Sequence, residues 1–584
     1  MKKISVLLAS ACILFSGCKK TLDKEFYNPE NYNKTGNLFS GLFSSTLYKW
    51  KTYVQDYGEW WWEIAGTGAL GVSGYSQVSQ RYITDRYAWF GLYDDLSGAN
   101  AFGSENQLWQ NRLGSFYKNA NAWPVIQDNL SKVSGQELDN NIIYYHLITV
   151  IKDYAALMTV DFYNAIPYSE AFRGKERLFF PKYDDPKEIY ISVLNDLKKI
   201  SEELPKVQAK MTPSAIAVFQ NQDFAFHGDI NKWIQYMNAL RLKYALRISG
   251  VDETTAKTHI NDVLSKNNLP QTDLIWQMPY KLDVKGGGEW TRGLYEAWPG
   301  TFITDIIMKR MNYGTTKYEA GTDDPRLPVI AFPTKYSDFT NSIGDYRGVS
   351  MNADAQKAPY NAGDKYYTGG LDGDINEHFK QNSKSFYNFA TITMNNVFPV
   401  YMMTKAEVDL ILAEVSLKNL GNTGKTASDH IKNAIGNSTD FWYARNAESS
   451  FATNQKILHP TKPDAGTVSA YANIVATKYN AKTSTDDKLE IIMQQKYIHL
   501  NIMCPYELWT ELRRTRHPKL EPMTFNGKVM KPLPERLRYP TGEQETNPDN
   551  YAKVKSDDNF TNPIFWVPQN LRNVNPYWSN SNFE

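Results

Sequence analysis

The sequence predicts a mainly α-helical protein in which about four tetratricopeptide-like helix pairs form a scaffold and a large irregular, loop-rich lobe packs on it. Three observations carry this expectation. Eight segments repeat apolar residues at three- and four-residue spacing, the period of an amphipathic helix. They fall into four consecutive pairs: 138–163 with 186–204, 229–250 with 252–266, 404–420 with 425–436, and 466–480 with 486–503. Between the second and third pairs, over residues 270–400, the chain turns rich in Gly, Pro, Asn, Asp and aromatics. No period of about 34 residues is legible, so the repeat is degenerate.

The helices carry their own start and stop signals. In DDPKEIYISVLNDLKKISEEL, Pro186 stands where a first-turn proline is tolerated, and Ile189, Val193, Leu197, Ile200 and Leu204 make the stripe. In GDINKWIQYMNALRLKYALRISG, Asp229 caps the start, Trp233, Met237, Leu240 and Tyr244 face one side, and Gly250 ends it. In TKAEVDLILAEVSLKNLG, Thr404 and Glu407 read as a capping box and Gly421 as the closing glycine. Trp109, Leu113, Phe116, Ala120 and Trp123 form a further stripe, which assigns Trp109 to the core. Long Gly- and Asn-rich stretches such as KGGGEW and NSIGDYRG read as loops, and loops of this length inside a folded body usually carry function. The same composition covers 54–106 and the stretch from 517 onward. The organisation expected is a leader over 1–17 and a single body over 18–584. Its helical scaffold spans 107–266 and 400–516, and its variable lobe spans 270–400 together with 54–106 and 517–584.

Composition excludes some functions. Lys+Arg at 64 against Asp+Glu at 63 lacks the basic footprint of a nucleic-acid binder. The eight histidines show no metal-ligand spacing, and neither HExxH nor GxSxG occurs. GNTGKT at 421–426 resembles the end of a phosphate-binding loop, but Asn419 stands where its first glycine belongs and the segment joins two helices. Asp185 and the Asp323–Asp324 pair lie beside prolines or a helix start, where carboxylates cap and turn. No catalytic residue, metal or cofactor is expected.

The first eighteen residues have a secretory layout: Lys2 and Lys3, the apolar run ISVLLASACILF, then Ser16 and Gly17 before Cys18. This resembles a bacterial lipoprotein processing site, with Cys18 the lipidated residue; Cys504 then reads as a small buried apolar residue. The longest apolar stretch, 142–162, is broken by Lys152 and Asp153 and does not suit a membrane span. Seven segments in order resemble the SusD/RagB family of Bacteroidota outer-membrane lipoproteins. They are DFYNAIPYSEAF (161–172), PKYDDPKEIYISVLNDL (181–197), DINKWIQYMNALRLKYALRIS (229–249), TDDPRL (322–327), FPVYMMTKAEVDLILAEVSL (398–417), IIMQQKYIHLNIMCPYELWTELRRTRHP (491–518) and RLRYPTGEQETNPDNY (536–551).

The resemblance implies a surface-exposed, lipid-anchored substrate-binding protein of the outer membrane. Such a protein is the hinged lid of a SusC-like TonB-dependent transporter and captures oligosaccharides for import without breaking a bond. An oligopeptide-binding lid of the RagB type is the alternative within the family, and a surface scaffold or adhesin is the alternative outside it. Trp233, Leu240, Tyr244, Trp509 and the Arg513–Arg514 pair read as helix packing and buried polar contacts.

A sugar binder needs flat aromatic platforms beside planar polar groups. In the family the resemblance points to, the variable lobe and the N-terminal segment build them. The candidates in the lobe are Glu289, Trp290, Arg292, Tyr295 and Trp298, in GGGEWTRGLYEAW, with Trp276 nearby. In the N-terminal segment they are Trp60, Trp61 and Trp62 of GEWWWEIAG, with Tyr75 and Trp89. On an extended chain Trp60 and Trp62 share one face and Trp61 takes the other.

Overall fold

The computed structural model describes residues 38–55, 107–276, 303–334 except 304 and 313–315, 345–348, 385–449 except 394 and 396, 458–520, 524–525, 528–529, 535–559 and 561–574. Three helices lead in: α1 (Leu38–Gln55), α2 (Gln107–Asn119) and α3 (Ala122–Leu130). The stripe expected to run through Trp123 is divided between α2 and α3 by a turn at Ala120–Asn121; Leu113, Phe116 and Ala120 are buried. Trp123 is half-buried, and its indole Nε1 donates to Thr149 Oγ1 at 3.0 Å.

The four pairs follow. They are α4 (Gly135–Tyr163) with α5 (Pro186–Gln208), then, after α6 (Pro213–Gln222), α7 (Ile230–Ile248) with α8 (Glu253–Lys266). Strand β1 (Leu274–Trp276) opens the lobe, whose described parts are α9 (Asp305–Met311), α10 (Leu327–Ile330), β2 (Ala331–Phe332), β3 (Phe386–Tyr387) and β4 (Val400–Met403). The third and fourth pairs are α11 (Lys405–Leu417) with α12 (Ala427–Glu448) and α13 (Ala465–Ala481) with α14 (Thr485–Leu500). Then come α15 (Pro505–Thr515), β5 (Thr524–Phe525), β6 (Lys528–Val529), α16 (Glu543–Thr546) and α17 (Pro548–Val554). Partners pack on each other, and α5 on α7, α7 on α11, α12 on α13 and α11 on α14 join the pairs in chain order. This is the layout of a helical-repeat solenoid.

Several starts follow their caps. Asp185 accepts from the Lys187 and Glu188 amides, and Asp229 from those of Asn231 and Lys232. Other expectations change. Thr404 does accept from the Glu407 amide at 3.2 Å, but the Glu407 carboxylate does not return to the cap; it lies 2.9 Å from Lys243 Nζ on α7. Buried ion pairing has taken over the second half of the capping box. Helix α11 stops at Leu417, and Asn419, at φ 53°, takes the left-handed position expected of Gly421. Helix α12 runs twelve residues past the expected end at 436, through Gly436, Asn437, Ser438 and Thr439. Phe441, Trp442 and Asn446 are buried on this extension, so tertiary packing overrides weak helix propensity. The segment 486–503 ends at Leu500, and a separate helix, α15, begins at Pro505.

The main apolar core joins α1, α4, α5, α7, the described lobe and the C-terminal stretch; a second cluster, including Leu410, Ile431, Tyr471 and Ile492, sits among α11–α14. Part of the stretch from 517 onward, expected as irregular lobe, closes the scaffold core: Trp566 is buried and its Nε1 donates to Asp161 Oδ1 on α4 at 2.8 Å. Cys504 is buried, as expected of a small apolar residue. Among the described residues no helix is long and apolar enough to cross a membrane.

Gly421 does a different job from the one expected. A β-carbon there would lie 2.8 Å from Leu264 Cδ1 and 3.0 Å from Ile260 Cγ2, so its bareness lets α8 approach the α11–α12 connection. Gly421→Val is expected to lower stability by about 1–3 kcal/mol through overpacking. Urea unfolding measures it, and an unchanged midpoint would mean that this contact is loose.

Candidate functional site

The ten candidate ligand residues, Trp60, Trp61, Trp62, Tyr75, Trp89, Glu289, Trp290, Arg292, Tyr295 and Trp298, lie outside the described residues, as does Cys18. What the structure describes is the base from which their segments leave. Segment 277–302 starts at Trp276, which pairs with Val400 in the antiparallel β1–β4 ladder, and it ends at Ile303, whose amide donates to Ser385 O at 3.0 Å. Segment 56–106 leaves α1 and re-enters at α2, and these two helices pack together. Helix α1 also contacts β4. Helix α1 and strand β1, from which the two aromatic-rich segments leave, thus each contact β4. Trp276, named with the loop aromatics, is instead buried in β1 and belongs to the core.

Beneath that base lies a buried network of charges. Lys243 and Arg247 stand one turn apart on α7, Glu507 and Glu511 one turn apart on α15, and Glu407 and Glu414 two turns apart on α11; each spacing puts both residues on one helix face. Arg247 bridges Asp161 on α4 to Glu507. Lys243 lies 2.9 Å from Glu407 and 3.4 Å from Glu507, and Lys496 on α14 lies 3.5 Å from both Glu507 and Glu511. Arg514 grips Glu414 with a two-pronged bond of 2.7 and 2.6 Å and reaches Glu511 at 2.6 Å. Asp161 is further held by Tyr190 and Trp566.

The electrostatics follow from these contacts. Burial pushes the Glu507 carboxyl up, but Arg247, then Lys243 and Lys496, outweigh it and hold it at about 2. Glu414 is likewise held at about 2, burial being outweighed by Arg514 and Lys418. For Asp161 burial wins, and its carboxyl is raised despite Arg247. Arg513 makes no ion pair with a carboxylate among the described residues. It lies 3.4 Å from the Trp509 ring centroid and donates to the carbonyls of Asp161 and Glu535 at 2.7 and 2.9 Å. The expected burial of the Arg513–Arg514 pair is met, with a different job for each guanidinium.

Two more polar links tie the lobe to the scaffold. In TDDPRL, Arg326 donates to Asp324 Oδ1 at 2.8 Å, to Gln495 at 2.6 Å and to Ser438 at 3.1 Å. The chain continues from Ser438 to His499 Nδ1 at 2.8 Å and from His499 Nε2 to Thr404 at 2.6 Å. Burial, with Arg326 and Lys496 nearby, lowers His499 to about 3, so this imidazole is neutral. His517 is the opposite case. Burial opposes its charge, but Glu490 at 2.7 Å and Asp486 at 2.8 Å raise it. Next to it, Arg310 of α9 donates to Lys519 O at 2.6 Å. The quoted family segments contain Asp324, Arg326, Thr404, Gln495, His499 and His517 but not Arg310, Ser438, Asp486, Glu490 or Lys519, and the pairings were missed; the signal for the ionic network was present as charged residues one turn apart inside apolar faces, as in NALRLKYALRIS.

Among the described residues no group of three or more His, Cys, Asp or Glu is placed to hold a metal. The geometry defines a class: a helical-repeat scaffold keyed by buried charge. Residues 92–540 match the SusD-like family described as starch-binding and associating with the outer membrane, and the chain belongs to that family. Three solved structures share the fold at TM-scores near 0.6. A SusD homologue from Bacteroides fragilis is 18% identical, with a TM-score of 0.62 over 90% of this chain and 100% of that one. A SusD homologue from Bacteroides uniformis is 19% identical, with a TM-score of 0.58 over 91% and 100%. A chitin-binding SusD homologue from Flavobacterium johnsoniae is 18% identical, with a TM-score of 0.59 over 90% and 98%. Comparison with curated proteins returns no match.

Glu507→Gln leaves Arg247, Lys243 and Lys496 short of one carboxylate, and a loss of about 3–5 kcal/mol is expected. Because the folded pKa of Glu507 and Glu414 is depressed to about 2 from an ordinary 4.5, their contribution is complete above pH 4.5. It is lost as pH falls from 4.5 through 2. Denaturation series across that window should give a shallower slope for Glu507→Gln than for the parent; parallel curves would refute the assignment.

Proposed function

We propose that this protein is the lid of a SusC-like TonB-dependent outer-membrane transporter, capturing oligosaccharides at the cell surface and breaking no bond. The observation that carries the reading is the family match over 92–540. The family description names starch, and one homologue of the same fold is described as chitin-binding. Trp290 beside Glu289 and Arg292 supplies the platform and polar hands that a sugar face and its hydroxyls need. Acylation at Cys18 anchors the chain, each buried methylene contributing about 0.8 kcal/mol.

Calorimetry with starch- and chitin-derived oligosaccharides, alongside a peptide library, tests the ligand class. Binding to one glycan class supports the proposal, binding only to peptides moves the chain to the oligopeptide branch, and silence in both favours a surface scaffold. Isolation from detergent-solubilised outer membranes should bring a TonB-dependent barrel with it; its absence would count against the lid. Trp290→Ala is expected to weaken glycan binding about tenfold, equal to about 1.4 kcal/mol, with the melting temperature unchanged. Trp60→Ala and Trp61→Ala should separate, one losing affinity and the other stability.

A further inference from the structure

A cavity of about 680 Å³ opens where α4 ends, α5 begins and the C-terminal stretch returns to the scaffold. This size is typical of a small-molecule site. Arg536, 1% exposed, forms part of its wall. Its Nη2 donates to the carbonyl of Tyr163, the last residue of α4, and its Nε to Leu537 O at 3.3 Å. Lys243, Arg247, Lys496, Arg514 and Arg516 each meet a carboxylate within ion-pair distance; among the described residues Arg536, like Arg513, meets none, and unlike Arg513 it lines a cavity. A helix C-terminus supplies about half a unit of negative charge, so the α4 carbonyl compensates this buried cation in part only.

A second guanidinium faces the same space. Arg572 reaches only backbone carbonyls, Val567 O at 3.3 Å and Phe565 O at 3.4 Å, and also has no carboxylate partner among the described residues. Asn164 Oδ1 accepts from the Phe565 amide at 2.9 Å, which leaves its Nδ2 without an acceptor among the described residues. Two carboxylates line the cavity as well. Asp185 is engaged with the Lys187 and Glu188 amides, and Asp557 takes a long 3.4 Å bond from Asn562. Lys187, also in the wall, is already paired with Asp252 at 2.9 Å.

We propose that this cavity binds the carboxylate of an acidic sugar, a hexuronic acid within an oligosaccharide. Guanidinium forks match a carboxylate with two parallel bonds. The half-buried Phe565 ring offers an apolar face, and the Asn164 and Asn562 amides suit hydroxyls. That the carboxylate arrives on a sugar rests on the glycan reading above; the anion site itself does not.

The test is calorimetry on the full chain with a galacturonic acid trimer and a galactose trimer, and with sodium sulfate as competitor. The acidic trimer should bind at least about tenfold more tightly than the neutral one. Arg572→Ala, a rim change, and Arg536→Lys, which keeps the charge and loses the fork, should each weaken it about tenfold with unchanged circular dichroism. Equal affinity for both trimers, full affinity in both arginine variants, or displacement by sulfate at matching concentration would each overturn the proposal. If the lid reading alone fails, neutral glycans stop responding to Trp290→Ala while the arginine variants keep their effect.

Discussion

Arg247 is the residue on which the scaffold turns: α4, α7 and α15 meet at its guanidinium, between Asp161 and Glu507. At an effective dielectric of about 20, a unit pair at about 4 Å gains about 4 kcal/mol, while each buried ion loses several kcal/mol of hydration. The balance is close, so the network's value lies in register more than in net stability. Leucines in its place could slide by a turn and still bury their area. Lys243 between two glutamates, and Glu511 between Lys496 and Arg514, have one arrangement that leaves no charge alone. From that arrangement the rest is placed: α11 carries β4, β4 pairs β1, and β1 starts the segment that holds Trp290.

Helix positions were readable because they rest on period and caps. The 186–204 stripe and Asp229 lie where the pattern put them, since an apolar face needs only a partner of any kind. What failed to show was specific to partners distant in sequence. Glu407 has the spacing of a capping box, and nothing local says that Lys243, far away in the chain, will claim its carboxylate. Gly421 looks like a helix stop because its closeness to Leu264 belongs to another helix. Ser438 and Thr439 lie past the expected helix end at 436, and Arg326 and the core around Trp442 make helix the better state there. Each miss exchanges a local rule for a tertiary contact.

The candidate ligand residues were named from composition alone, and they lie outside the described residues. Aromatics beside Glu and Arg in Gly-rich chain point to sugar recognition, but such segments have no period to set direction. Trp276 shows the hazard: three residues of strand turned an apparent loop aromatic into core. Identities of 18–19% with structures of the same fold fit this division. Packing rules conserve a scaffold at low identity, because apolar residues of similar size substitute freely, while recognition loops answer to their ligand.

The last turn of α4 links the two levels. Asp161 points inward to Arg247, Tyr163 gives its carbonyl to Arg536, and Asn164, at φ 70°, leaves the helix and holds the Phe565 amide. Asparagine tolerates that backbone where branched residues do not. Because the ionic network fixes Asp161, it also fixes the carbonyl on which Arg536 rests, two residues along the same turn. The Arg536 side of the cavity is thereby set before any ligand arrives, while the exposed Arg572 is ordered only on binding. A guanidinium held this way is poised for an anion by the same contact that registers the scaffold.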